Sequence, residues 1–202
     1  MVSLTRYISA ICLCVVIITN ANSQGKVWSI GPEAGVNFSK YGMDADENET
    51  KAGFAGGIFL TYSVINTFGV TGKILYSEKG SRNGSSEQKL KYIEVPLTGR
   101  FFLNKEGKFR PNLFLGPSFS FLCGVSNKVD GSDAVNVKDY KTDFNTYDFG
   151  VTGGVGLNFI LRPEMRLLID GRYTYGLSDL TKANGAVNNE TFTITAGVSF
   201  GI

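Results

Sequence analysis

Residues Thr191–Ile202 read TFTITAGVSFGI, and the alternation is unbroken: Phe192, Ile194, Ala196, Val198, Phe200 and Ile202 fall on one side, Thr191, Thr193, Thr195, Gly197 and Ser199 on the other. A period of two belongs to an extended strand whose faces meet unlike surroundings. The large residues all share one face. The opposite face carries only Gly, Ser and Thr.

The same pattern recurs upstream seven times, in Val27–Ser39, Gly53–Val64, Phe68–Lys79, Leu90–Leu103, Arg110–Val125, Asn145–Phe159 and Met165–Leu177. Phe59 is the misfit, a large apolar residue on the small-residue side of the second segment. Eight such strands without helical periodicity predict a sandwich or a closed barrel. A soluble barrel would show Lys and Glu on its polar, water-facing side. Here that side is small, which suits a narrow eight-stranded interior, while bulky apolar side chains suit lipid outside. The fold expected is therefore all-β, an eight-stranded antiparallel up-and-down transmembrane β-barrel.

The breaks between segments alternate in length. Residues 40–52, 80–89, 126–144 and 178–190 are long and polar, whereas 65–67, 104–109 and 160–164 are short. Outer-membrane barrels pair long external loops with short periplasmic turns, so both termini are expected on the periplasmic side. Aromatic residues gather near segment ends, among them Trp28, Tyr62, Phe68, Phe101, Tyr147 and Phe159, as two interfacial girdles would require.

The N-terminus reads as an address. One positive charge at Arg6 precedes the apolar run Ile8–Ile18, and Ala21 and Ser23 form a small-residue cleavage pattern. Residues 1–23 are read as a secretory signal peptide and 24–202 as the barrel domain. Eleven apolar residues rise only about 16 Å as a helix, too little to span a bilayer. With that segment removed Cys123 is the only cysteine, so no intramolecular disulfide is expected.

The chain has 25 Gly in 202 residues, 20 Lys and Arg against 18 Asp and Glu, and no His. The near-balance of charge argues against nucleic acid as a partner. The missing His excludes the usual Ser-His and Cys-His nucleophiles and the commonest metal ligand.

Eight charged residues fall on the lumen side: Glu33, Lys73, Glu94, Arg100, Asp148, Arg166, Asp170 and Arg172, four of each sign. Isolated charges in a narrow interior are costly, so opposed pairs filling the barrel are the expected arrangement. A gated ion path and a catalytic carboxylate pair are the alternatives. No cofactor or metal site is expected. Asp44–Glu49 begins like a calcium loop, but Glu49 stands where the turn needs Gly and Ala55 where a closing Glu is needed. The run Gly150–Gly156 (GVTGGVG) lies inside an alternating strand rather than before a helix, so it is not a dinucleotide loop. The segment Ser126–Phe144, with Lys and Asp interleaved, is the expected surface for a protein partner.

The stretches Trp28–Ser39 (WSIGPEAGVNFS), Lys73–Gly80 (KILYSEKG), Lys91–Leu103 (KYIEVPLTGRFFL), Phe114–Phe121 (FLGPSFSF) and Asp170–Leu180 (DGRYTYGLSDL) resemble the small outer-membrane β-barrel domain of Bacteroidota, often labelled PorT-like. The likeness spans Val27–Ile202. It implies an outer-membrane location, insertion by the barrel-assembly machinery and contact with outer-membrane lipid. It also carries the label's association with assembly of a secretion machine. The last strand ends Phe200-Gly201-Ile202, a departure from the common terminal aromatic of such barrels. The function expected is a non-enzymatic integral outer-membrane protein, acting as scaffold or holding a partner through its loops. A secreted soluble barrel around an apolar ligand and a narrow channel are the competing expectations.

Overall fold

The alternating segments become strands that run well past the places where the alternation stops. A computed structural model describes residues 28–41, 49–83, 86–129, 135–137, 145–178 and 189–202. The strands are β1 (Trp28–Tyr41), β2 (Glu49–Ile65), β3 (Phe68–Asn83), β4 (Ser86–Phe102), β5 (Phe109–Val129), β6 (Val135–Asn136), β7 (Tyr147–Arg162), β8 (Met165–Gly176) and β9 (Asn189–Gly201). Neighbours in the sheet follow the order β4, β3, β2, β1, β9, β8, β7, β5, and a further pairing of β4 with β5 closes the ring. Every pairing is antiparallel. Eight strands thus make an up-and-down barrel, and the two-residue β6 only adds to the edge of β5.

The first and last strands form a seam. Ser29 pairs with Gly201, and Tyr41 pairs with Asn189 at the other end. The Ile202 amide donates to the Trp28 carbonyl at 2.9 Å. Closure leaves no barrel strand with an unsatisfied edge, which a lipid-embedded sheet requires.

The faces are as the composition demanded. Ile58, Leu97 and Leu115 point outward at 52%, 50% and 65% exposure, and buried Ser29, Asn37, Thr71, Thr98, Thr152 and Thr193 point inward. A soluble barrel inverts this arrangement, so the expectation of a secreted barrel with an apolar interior is overturned. Outward aromatic pairs mark both rims. Trp28–Tyr62, Phe68–Phe101 and Phe109–Phe159 sit at the short-turn end, with ring centroids 4.6, 4.7 and 5.0 Å apart. Phe119–Phe149 and Phe121–Tyr147 sit toward the other. The ten steps from Trp28 to Phe38, at ~3.4 Å each and tilted ~40°, rise about 26 Å, which matches the apolar band of an outer-membrane barrel.

The short turns fall as expected, with Asn66-Thr67, residues 103–108 and Pro163-Glu164 between strands. The long breaks are shorter than the sequence pattern suggested. The 80–89 break is a hairpin: β3 continues to Asn83 and β4 starts at Ser86. β2 begins at Glu49 within the 40–52 break, β5 reaches Val129, and β9 begins at Asn189. These extensions lie beyond the stretches of alternating sequence, so alternation does not report a strand there. The acidic run Asp44–Glu49 lies outside the described residues except for the backbone of Glu49, as do residues 1–23 and most of 130–144.

A bulge in β5 changes parity. Lys91 pairs with Gly124 and Tyr92 with Leu122, so Cys123 is the extra residue of β5 and lies on the outside. Beyond it Val125 turns inward and joins Leu90, Tyr92 and Leu122 in a small apolar cluster against which Val137 packs.

Candidate functional site

Antiparallel register brings the lumen-facing charges to two levels. At the first, Lys73 of β3 donates to both carboxylate oxygens of Glu33 on β1, at 3.0 and 2.8 Å, and to Asp170 Oδ2 on β8 at 2.9 Å. Arg100 of β4 completes the layer with two parallel bonds to Asp170, Nη1 to Oδ1 at 2.9 Å and Nη2 to Oδ2 at 2.7 Å. The same Nη1 donates to Asn112 Oδ1 at 2.8 Å, and Asn112 is fixed in turn by donating to the Gly156 carbonyl at 3.0 Å. Arg100 is 1% exposed and Asp170 2%.

At the second level Glu94 of β4 accepts from Arg172 Nη2 at 3.0 Å and forms a close ion pair with Lys79. Asn37 stands between β3 and β9, donating to Ser77 Oγ at 2.6 Å and accepting from Thr193 at 2.8 Å. Asp148 is buried on the same inner face of β7. Arg166 is half-buried near the start of β8 and takes no part in the ion pairs of either level among the described residues. The structure therefore joins six of the eight charges read from the sequence: Glu33, Lys73, Glu94, Arg100, Asp170 and Arg172.

Lys79 belongs to the network and was missed, although parity with Lys73 and Ser77 places it on the same face. The inward aromatics have a role that alternation alone does not state. Phe59 lies under Lys73 Nζ at 5.9 Å, Tyr92 under Lys79 Nζ at 5.3 Å, and Phe114 under the Arg100 guanidinium at 4.7 Å. Each of three buried cations thus rests on a ring, and the ring quadrupole helps to offset lost hydration. Phe59, the misfit of the alternation, is the floor of an ion pair.

Glycine makes the space. A Cβ on Gly156 would stand 2.6 Å from Asn112 Oδ1 and Asp170 Oδ1 and 2.7 Å from Arg100 Nη1, three atoms of the first layer. The position admits no side chain because the network occupies its place. Among the described residues no group of three or more Cys, Asp or Glu side chains is arranged to hold a metal ion.

An apolar outer belt with aromatic rims around a charge-filled interior is the arrangement of a small outer-membrane barrel. Residues 20–182 match the family model described as outer membrane protein beta-barrel domain. The chain belongs to that family. It is accordingly a protein of the bacterial outer membrane. Among solved structures, neisserial surface protein A aligns over 87% of this chain and 97% of its own at 17% identity, with a TM-score of 0.55. OprG from Pseudomonas aeruginosa aligns over 86% and 94% at 13% identity, with a TM-score of 0.52. Ail of Yersinia pestis aligns over 85% and 98% at 20% identity, with a TM-score of 0.49. At these identities the likeness is one of fold. No curated protein matches the sequence.

Proposed function

We propose that this family member is a non-enzymatic scaffold of the outer membrane whose lumen is closed, and that its contacts with other proteins are made by the long-loop end. The observation that carries the reading is the layer Glu33–Lys73–Asp170–Arg100, which crosses the lumen from β1 to β4 with every carboxylate answered by a cation. Ions would have to break those pairs to pass, and separating buried partners costs several kcal/mol. Catalysis has little to work with, since the lumen carboxylates are already held in bonds and the chain has no His.

The long-loop end is the side on which β3, β4 and β5 project past the aromatic rim, and the segment Ser126–Phe144 starts on β5 there. Loops on a stiff frame are where binding is placed. We take this end as external and the termini as periplasmic, with residues 1–23 removed on export and insertion by the barrel-assembly machinery. The finer kinship with PorT-like barrels, and with it a part in building a secretion machine, is supported by the motifs from Trp28 to Leu180.

Single-channel recording in planar bilayers tests the reading. A closed scaffold gives no discrete current steps with the folded, heat-modifiable barrel present. Steady conductance proportional to inserted protein would replace the scaffold with a pore.

A further inference from the structure

At the short-turn end the Arg100 layer forms one boundary of a cavity of about 40 Å³, partly open, whose wall holds the hydroxyls of Ser29, Thr61 and Ser199 and the guanidinium groups of Arg100, Arg110 and Arg166. No carboxylate lines it. Arg100 is neutralised by Asp170. Neither Arg110 nor Arg166 takes part in the ion pairs of the described residues. The two charges lie close enough to repel one another.

The donors are also incomplete. The Nε of Arg100, of Arg110 and of Arg166 is buried without a hydrogen-bond partner, as is that of Arg172 at the second level of the lumen. What sets this cavity apart is its lining, three arginines with no carboxylate facing them across the space. Arg110 is held ready for a ligand, its guanidinium 4.3 Å from the Phe102 ring and one nitrogen donating to the Asn66 carbonyl of the β2–β3 turn.

We propose that this mouth is an oxyanion site, taking inorganic phosphate or the terminal phosphate of a monoester. Guanidinium forks match tetrahedral oxyanions in geometry, and a dianion would neutralise the two uncompensated charges. The volume has room for about three water molecules, which suits one compact anion and excludes a sugar ring or an acyl chain.

The test is equilibrium dialysis of the purified barrel in non-ionic detergent at low ionic strength, with radiolabelled inorganic phosphate as probe. Arg110→Gln, Arg166→Gln and the double variant are compared, each checked for the heat-dependent gel shift of a folded barrel. The expected result is saturable binding of one phosphate per barrel, weakened about tenfold by either substitution and lost in the double variant. Displacement of the label by methyl phosphate assigns the site to a monoester end as well as the free ion, and failure to displace assigns it to the free ion. No saturable binding by the wild type, or unchanged binding in the folded double variant, overturns the proposal. Should the double variant not fold, Arg166→Gln decides alone, because unchanged affinity there has the same meaning.

Discussion

Arg100 and Asp170 meet across the lumen from β4 and β8, seventy residues apart in the chain, through two parallel bonds of 2.9 and 2.7 Å. Those strands are not neighbours in the ring: β5 and β7 separate them on the shorter path. The pair is a strut across the barrel. The bond from Arg172 to Glu94 is a second one between the same two strands.

Removing one end of a buried pair leaves the other charge unanswered. Asp170→Asn is therefore expected to destabilise the barrel by about 3–5 kcal/mol, since it leaves Arg100 without an anion and Lys73 with Glu33 alone. Urea unfolding in detergent, followed by the gel shift, measures it. A double-mutant cycle of Arg100→Gln with Asp170→Asn should return a coupling above about 1 kcal/mol. Additive effects would mean that the two side chains do not share their bonds in the folded protein.

Gly156→Ala should fail to assemble or should unfold at markedly lower temperature, because its methyl would overlap Asn112, Asp170 and Arg100. Gly72→Ala is the control. A Cβ there meets nothing nearer than Leu97 Cδ1 at 3.8 Å, so it should fold as well as the wild type. Thermal gel-shift midpoints of the two variants check the contrast.

Leu97 and Thr98 are adjacent on β4 and face opposite solvents. Leu97→Arg puts a charge into lipid and should cost about 2–4 kcal/mol if the position lies near the midplane. Thr98→Ala removes one hydroxyl whose bond to the Thr71 carbonyl is long, at 3.4 Å, and should be mild. Insertion efficiency into lipid vesicles reads both. Equal tolerance at the two positions would reverse the assignment of faces.

Phe59→Ala should lose about 3–5 kcal/mol, the usual cost of deleting a buried ring. Phe59→Leu keeps most of the volume but not the quadrupole under Lys73, and it should fall between the two. Matched stability of Leu and Phe at this position would assign the ring to space-filling alone.

The barrel was legible wherever one strand face met lipid and the other the lumen. TFTITAGVSFGI states both surroundings residue by residue, and β9 begins only two residues earlier. Outside the apolar band the signal vanished, which is why Ser81–Asn83 and Ser86–Lys89 looked like a loop and are a hairpin. The charge layer was legible as a set, because parity sorts Glu33, Lys73, Arg100 and Asp170 onto one face. Who pairs with whom was not, since that depends on strand stagger, which no single strand encodes. The inward ring of Phe59 read as a defect of pattern because a cation on a neighbouring strand, Lys73, supplies its reason. The bulge at Cys123 was invisible for a related reason: it exists only relative to β4.

The seam between β1 and β9 sets a condition on timing. Ser29 and Gly201 are paired neighbours although nearly the whole chain lies between them. Contacts of such sequence separation form slowly, because loop-closure entropy must be met before any of them is rewarded. Until β9 arrives, β1 and β8 each present a bare edge, so no nascent fragment of the sheet can rest stably in lipid. Assembly is then a single late commitment made by a finished polypeptide, and any escort must keep the whole of it unfolded up to that moment.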